Sequence, residues 1–254
     1  MTAGSTQASP TVVIDLDGVV WLAGEPLAGG ADAVATLRAE GFATLFVTNN
    51  SAPTVGTMLE RLANVGIDAG PDELLTAAQA AAFAVAPGTA TLVMGEEGLE
   101  EAASARGLTS GGTPAAVVVG WRRAFDFDLI AHAATAVRNG ARFIATNDDP
   151  THPTPNGLLP GTGALVAAIA TAAETPAVIA GKPGEPMVEL IAERTTSVCL
   201  VVGDRPSTDG ALAARLSVPF GLVRSAATPA SDLVPSHDGV SLLEVVSQFL
   251  AERS

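Results

Sequence analysis

The chain has 254 residues, 48% of them hydrophobic and 16% charged, which is typical of a folded globular protein of one or two domains. Its formal net charge of −14 argues against a nucleic acid or an anionic membrane as a partner, because both are bound through basic patches. A small anionic substrate is compatible with this charge, since screening over roughly 8 Å lets a few local cations set the potential inside a cleft.

Three features bear on where the protein works. The only cysteine, Cys199, cannot form an internal disulfide, which fits a reducing compartment. The first ten residues have neither the basic start nor the apolar run of a signal peptide. No segment has the roughly twenty consecutive apolar residues of a membrane helix. We therefore expect a cytoplasmic protein.

Short apolar runs rich in β-branched residues alternate with stretches of helical periodicity along the whole chain. The predicted strands are residues 11–18, 42–50, 90–95, 115–120, 142–147, 177–183, 197–204 and 218–223. The predicted helices are residues 31–41, 54–66, 128–140, 163–174, 185–194 and 208–216. Continuous apolar strands separated by helices indicate an α/β fold with a Rossmann-like parallel sheet covered on both faces.

Polar residues follow four of the predicted strands, and in open α/β sheets the carboxyl ends of the strands form the ligand crevice. The residues are Asp15 and Asp17, then Thr48 and Asn49, then Lys182, and finally Asp204 and Asp209. The strands between about 90 and 147 end in other residues, so we predict that they form a second domain inserted into the first. The predicted division is a flexible tail at 1–10, a core at 11–78 and 179–254, and an inserted α/β cap at 79–178.

The stretch VVIDLDGVVW places two carboxylates two residues apart at the end of a buried strand. One aspartate can attack phosphorus as a nucleophile, and a second can protonate the leaving oxygen and later activate water. The alternative is a polar turn with an Asx cap. In FVTNNSA, a hydroxyl and two amides suit phosphate oxygens, and the alternative is a helix N-cap.

Lys182 is the only lysine of the chain, beside 12 arginines, and it lies in VIAGKPGEP. A phosphate dianion close to several aspartates is electrostatically unfavourable. Mg²⁺ bound by one or two carboxylates offsets part of this repulsion, and a compact ammonium offsets more. We therefore predict that Lys182 binds phosphate at a magnesium site that includes Asp204, although a single lysine can also occur there by chance.

The motifs DLDG, VTNN, GKP and GDRPSTD, in this order, resemble the four motifs of the haloacid-dehalogenase-like (HAD) hydrolase superfamily. The closer likeness is to its branch of phosphatases with a large α/β cap (type IIA). That branch includes 4-nitrophenylphosphatases and phosphatases of phosphoglycolate, glycerol phosphate and pyridoxal phosphate. The likeness runs from about residue 11 to 250. DxDG alone is a weak signal, whereas four motifs in sequence are a strong one.

The resemblance implies a Mg²⁺-dependent phosphatase that hydrolyses small phosphorylated metabolites through a phosphoaspartate. It implies Asp15 as the nucleophile and Asp17 as the general acid and base, with Thr48 and Lys182 as phosphate ligands. The implied metal ligands are Asp15, the backbone carbonyl of Asp17 and Asp204, with Asp209 in support.

Residues 145–163 resemble the cap loop that reaches toward the active site in this branch, which makes Asp149 and His152 the candidates for substrate selection. For His152 the alternative is a surface histidine in a proline-rich loop. The resemblance is also compatible with a homodimer formed through the cap. Neither the natural substrate nor the oligomeric state follows from the sequence.

Other activities are compatible with parts of this pattern. A dehalogenase on the same fold does not need the second carboxylate, so Asp17 argues against it. A phosphotransferase or mutase is harder to exclude. A receiver-like signalling module would accept phosphate on an aspartate but would need no inserted domain of roughly 100 residues.

Overall fold

The structure is a computed structural model that describes residues 9–22, 24–154, 157–224, 228 and 231–253. Its strands are β1 Thr11–Ile14, β2 Trp21–Leu22, β3 Glu25–Pro26, β4 Ala43–Thr48, β5 Leu74–Thr76, β6 Thr91–Met94, β7 Ala116–Val119, β8 Arg142–Ala145, β9 Thr151–Thr154, β10 Gly157–Pro160, β11 Val178–Ile179, β12 Val198–Gly203, β13 Phe220–Val223 and β14 His237–Gly239. Its α-helices are α1 Gly30–Ala39, α2 Val55–Asn64, α3 Ala77–Phe83, α4 Glu97–Ala105, α5 Phe127–Arg138, α6 Thr162–Ala173, α7 Glu185–Arg194, α8 Ala211–Leu216 and α9 Leu242–Ala251.

The described residues divide into two compact units. The first comprises those within 1–47, 65–67 and 191–254, and the second comprises 48–64 and 68–190. The predicted inserted segment, 79–178, lies within the second unit, which extends further along the chain on both sides. Of the predicted tail, residues 1–8 lie outside the described residues.

In the first unit the strands lie side by side in the order β14–β13–β12–β1–β4, and each of these pairings is parallel. The sequence of β1, TVVI, is buried at all four positions, as its β-branched residues and its central place in the sheet require. Ile14, the last residue of β1, pairs with Val202 of β12 and with Phe46 of β4. This register brings the residues that follow β1 and β12 to the same edge of the sheet.

The second unit has its own parallel sheet, in the order β11–β8–β7–β6. Its apolar core includes side chains of β7, β8, α5 and α6. Helix α5 begins at an N-cap, Asp126, whose carboxylate accepts a hydrogen bond of 2.9 Å from the backbone N–H of Leu129. Strands β9 and β10 form an antiparallel hairpin that leads into α6.

The predicted α/β class with a Rossmann-like parallel sheet is confirmed, while several element boundaries differ. β1 ends at Ile14, so both Asp15 and Asp17 lie beyond it. The predicted strand 177–183 is reduced to Val178–Ile179, and Lys182 lies in the turn that follows. The predicted helix 208–216 begins as a π-helical turn, Pro206–Gly210, before α8. None of the helices in the described part of the chain has the length and apolar character that a membrane crossing requires.

Candidate active site

Three predicted site residues of the first unit come together at the carboxyl edge of its sheet. Asp15 directly follows β1, Asp204 directly follows β12, and Asp209 lies in the π-helical turn beyond. One carboxylate oxygen from each of these buried residues lies within 4.8 Å of the other two. We call Asp15, Asp204 and Asp209 the carboxylate cluster.

Hydrogen bonds and two glycines position the cluster. The backbone N–H of Asp15 donates to the carbonyl of Val202 at 2.9 Å, and the Asp209 carboxylate accepts the N–H of Arg205 at 3.1 Å. A Cβ atom on Gly203 would overlap the carboxylate of Asp209, and one on Gly18 would overlap that of Asp204. Gly18 also has φ +86°, a conformation that L side chains rarely adopt. The glycine after Asp17 is therefore required both by its turn and by the space that Asp204 needs.

The charge of the cluster suits a bound cation. Two unit charges about 5 Å apart repel by about 3 kcal/mol at an effective dielectric constant of about 20, so three ionised aspartates here are costly without a counterion. Buried carboxylate oxygens are hard ligands of the kind that Mg²⁺ and Ca²⁺ prefer. These residues thus fit a divalent metal that also contacts an incoming phosphate.

Asp17 stands apart from this cluster. Its side chain is exposed, and its Oδ1 atom accepts a hydrogen bond of 3.1 Å from Nε1 of Trp21. The backbone supports the same turn, because the N–H of Gly18 donates to the carbonyl of Trp21 at 2.7 Å. An exposed carboxylate can exchange protons with solvent and with a substrate, as a general acid and base must.

Lys182 lies in the second unit and is almost fully buried, with 3% of its surface exposed. The side-chain amide of Asn49 binds both the backbone N–H and the backbone carbonyl of Lys182. The N–H of Lys182 donates to Asn49 Oδ1 at 2.7 Å, and Asn49 Nδ2 donates to the carbonyl of Lys182 at 3.1 Å. The sequence-based prediction that Asn49 binds phosphate stays a prediction, and its second Nδ2 hydrogen is the donor that such a contact would use.

Glycines lie on both sides of Lys182 and make a tight turn of residues 181–184, which we call the lysine segment. The N–H of Gly181 donates to the carbonyl of Thr146 at 2.8 Å, and a Cβ atom on Gly181 would come within 2.6 Å of Asn49 Oδ1. A Cβ atom on Gly184 would overlap the carbonyl of Ile179. The GKPG sequence therefore closes a turn that only glycines allow, and it presents a single ammonium from it.

Thr48 ends β4 and is buried. Its hydroxyl oxygen accepts the backbone N–H of Asn50 at 3.0 Å, and Asn50 in turn accepts the N–H of Ala52 through Oδ1 at 3.2 Å. The hydroxyl therefore shapes the turn after β4 and keeps its own proton to donate, which is what the predicted phosphate contact needs.

The two predicted substrate-selecting residues, Asp149 and His152, lie before and within the hairpin of β9 and β10. The N–H of Asp149 donates to Oδ1 of Asn147 at 3.2 Å. The imidazole of His152 packs against the indole of Trp121, with ring centroids 4.9 Å apart and an interplanar angle of 36°. Trp121 Nε1 donates to the carbonyl of Pro160 at 3.1 Å, so the indole contacts both strands of the hairpin.

Sequence reasoning missed contributions from four side chains around these groups. It assigned no hydrogen bond to Trp21 or Trp121, whose indole N–H groups bond to Asp17 and to the β9–β10 hairpin. It gave no role to Asn147 or Ser51, which are buried and hydrogen-bonded beside Asn49 and Thr146. The only signal for these residues in the sequence was their position at or just after the ends of the predicted strands 42–50 and 142–147.

A parallel α/β sheet with three buried carboxylates at its carboxyl edge is the arrangement of an α/β protein that can bind a divalent metal. Comparison with known families makes this specific. The profile of the haloacid dehalogenase-like hydrolases matches residues 12–109, and that of the HAD-hydrolase-like proteins matches residues 179–247. The chain belongs to the haloacid dehalogenase-like hydrolase family.

Relatives of this chain include proteins named as a phosphatase and as a nucleotidase. It is 38% identical over 221 residues to the D-glycerol 3-phosphate phosphatase of Mycobacterium tuberculosis. The matched region is 83% of this chain and 62% of that protein, so the chain spans less than two thirds of that relative. It is 37% identical to the 5'-nucleotidase YutF of Bacillus subtilis, over 78% of this chain and 80% of that protein. A solved structure of the M. tuberculosis glycerol phosphate phosphatase in complex with magnesium superposes with a TM-score of 0.83 and 33% identity, covering 94% of this chain and 77% of that one.

Proposed function

We propose that this protein is a magnesium-dependent phosphatase that hydrolyses small-molecule phosphomonoesters through a phosphoaspartate. The observation that carries the proposal is the carboxylate cluster, Asp15, Asp204 and Asp209, buried at the carboxyl edge of the sheet in a member of this hydrolase family. The magnesium complex of a relative supports the choice of metal. The names of the relatives support phosphate esters as the substrate class.

The proposed reaction has two displacements at phosphorus. In the first, an oxygen of Asp15 forms a bond to phosphorus while the bond to the leaving oxygen breaks, and Asp17 gives that oxygen its proton. In the second, Asp17 takes a proton from water, whose oxygen attacks phosphorus and frees Asp15 and inorganic phosphate. Mg²⁺ supplies positive charge that offsets the charge of the phosphoryl group and of the aspartates. Asp15, the backbone carbonyl of Asp17 and Asp204 would hold the metal, with Asp209 in support.

Binding of the phosphoryl group falls to Thr48 and Lys182 in this proposal. A buried ammonium is a strong donor to phosphate, because little water competes with it. Asp149 and His152 would contact the organic part of the substrate. Glycerol phosphate is the first substrate to test, with phosphoglycolate and pyridoxal phosphate next, because a carboxylate and an imidazole suit small polar leaving groups.

Removal of magnesium is expected to abolish turnover. Enzyme treated with EDTA should not hydrolyse 4-nitrophenyl phosphate, and added Mg²⁺ should restore many turnovers per enzyme molecule. Ca²⁺ should inhibit, because its larger and looser coordination shell misplaces the nucleophile relative to phosphorus. Release of 4-nitrophenolate, followed by absorbance, measures each case.

Full activity in metal-free enzyme would refute the mechanism. A single turnover that stops at a stable phosphoenzyme would instead indicate a receiver-like phosphoacceptor. Movement of phosphate within a sugar phosphate, without release of inorganic phosphate, would indicate a mutase.

Substitutions in the cap loop are expected to change substrate preference and leave the phosphoryl chemistry intact. Asp149→Ala and His152→Ala should raise KM for the best natural substrate far more than KM for 4-nitrophenyl phosphate, whose ring makes few polar contacts. Loss of uniform binding appears in KM, with kcat retained. Steady-state kinetics on both substrates measures the difference. Asp148→Ala, which removes the exposed neighbouring carboxylate, is the matched control.

An equal loss of kcat on every substrate would show that Asp149 and His152 belong to the catalytic machinery. The division of labour proposed here between the phosphoryl site and the cap loop would then be wrong.

A further inference from the structure

A chain of hydrogen bonds joins the lysine segment to the cap loop within the second unit. It starts at the backbone of Lys182, which the side chain of Asn49 holds by its N–H at 2.7 Å and its carbonyl at 3.1 Å. The backbone carbonyl of Asn49 then accepts a hydrogen bond of 2.8 Å from Nδ2 of Asn147. Finally, Oδ1 of Asn147 accepts the N–H of Asp149 at 3.2 Å. Two asparagines thus connect two segments that are more than thirty residues apart in sequence.

The partners of Asn147 determine the orientation of its amide. A backbone carbonyl can only accept and a backbone N–H can only donate, so Nδ2 must face Asn49 and Oδ1 must face Asp149. The same reasoning orients the amide of Asn49 toward Lys182. Asn147 is 6% exposed, so water competes little for these bonds. Among side chains of this size, only that of asparagine ends in one group that donates and one group that accepts.

We infer that Asn147 is a positioning residue that joins the phosphate-binding lysine to the substrate-selecting loop. This inference rests on the proposed function, which gives Lys182 and Asp149 their roles. Loss of the amide would leave the carbonyl of Asn49 and the N–H of Asp149 without their partner, and both segments would shift to satisfy these groups. One substitution should therefore alter both phosphate affinity and substrate preference, because the hydrogen bonds through Asn147 connect both segments.

The test is Asn147→Ala, with two readouts that do not depend on how much enzyme is folded. The first is the Kd of inorganic phosphate in the presence of Mg²⁺, measured by titration calorimetry, which reports on Lys182. It should rise about fivefold to tenfold, the effect of one lost buried hydrogen bond. The second is the ratio of kcat/KM for glycerol phosphate to that for 4-nitrophenyl phosphate, which reports on the loop and should fall by a similar factor.

Thr146→Val is the matched control. Thr146 is the preceding residue and is equally buried, and its hydroxyl donates to Ser51 Oγ at 3.1 Å outside the chain of asparagines. Valine keeps the shape and removes that bond. This variant should have a lower Tm, because a buried hydrogen bond is lost. The Kd of phosphate and the ratio of kcat/KM values should stay within about twofold of wild type.

Asn147→Asp separates the two arms if the alanine variant does not fold. It keeps an acceptor for the N–H of Asp149 and places an oxygen against the carbonyl of Asn49. The Kd of phosphate should then rise while the substrate ratio is retained. Unchanged values of both readouts in Asn147→Ala, or equal changes in Thr146→Val, would overturn the inference and leave the phosphatase proposal intact. A wild-type enzyme that does not hydrolyse phosphate esters would overturn the phosphatase proposal itself.

Discussion

Asp15→Asn is expected to reduce kcat by at least about 10⁴-fold and to leave no phosphoenzyme, because an amide oxygen cannot replace the carboxylate nucleophile. The fold should survive. In metal-free buffer the variant should unfold at the same or a higher temperature than wild type, because it removes one of three buried like charges whose oxygens lie within 4.8 Å. Kinetics with 4-nitrophenyl phosphate and thermal unfolding in EDTA measure the two effects.

Asp17→Asn is the matched partner of this experiment. It keeps the nucleophile but loses proton transfer, which costs about 10²–10⁴-fold in rate. With 4-nitrophenyl phosphate, whose leaving group needs no proton, its phosphoenzyme should form and persist, and intact-protein mass spectrometry can detect it. Its exposed position outside the carboxylate cluster means that unfolding in EDTA should change less than for Asp15→Asn. Wild-type turnover by Asp15→Asn would show that the nucleophile is another residue.

The second large effect is expected at Lys182. Lys182→Met keeps most of the apolar stem and removes the charge, and it should lower kcat/KM by about 10²–10³-fold, the usual effect of losing one preorganised donor to a developing anion. Lys182→Arg should not restore activity. A guanidinium is a planar fork of five donors, and the site offers a buried turn closed by Gly181 and Gly184.

Arg61→Lys, on the exposed surface of α2, controls for the exchange of one cation for another and should leave kcat/KM unchanged. Thermal unfolding of each variant shows whether overpacking by arginine has damaged the fold. An arginine variant with near wild-type kcat/KM would show that charge alone matters at this position. A methionine variant with wild-type kcat/KM would remove Lys182 from the phosphate site.

Burial also affects Cys199, the only thiol of the chain. Desolvation raises its pKa above the ordinary value, against the smaller opposing influence of Arg253. Its Sγ atom lies 3.4 Å from the backbone carbonyl of Thr11, at the start of β1. A thiol with a raised pKa is a poor nucleophile near neutral pH, so the half-buried Cys199 is not expected to be reactive.

The sequence by itself determined the α/β class, because long-range order in this fold follows from local patterns. Runs such as TVVI and VCLVVG are mostly apolar and rich in β-branched residues, which is typical of strands covered on both faces. It also determined which chemical groups follow those strands. Because neighbouring parallel strands end at the same edge of a sheet, the sequence predicts that Asp15 and Asp204 lie close together.

Other features depended on tertiary structure. The hairpin of β9 and β10 has too little local signal of its own, since an isolated two-stranded hairpin is marginally stable at best. Helix α3, AAQAAAF, has a local signal that the sequence prediction did not use, because alanine favours helices and Thr76 and Gln79 form a capping box. Strand β11 has only two residues, because Lys182 must leave the sheet in a turn closed by glycines.

The partners of the polar side chains were likewise decided only by the folded chain. Nothing in the local sequence of VTNN indicates that Asn49 holds the backbone of Lys182, 133 positions away, or that Asn147 holds Asn49. A side-chain amide can donate to or accept from many kinds of group, so an asparagine in the sequence indicates little about which groups it will bind. Its role follows from which backbone groups the fold leaves beside it, buried from water and in need of a donor or an acceptor.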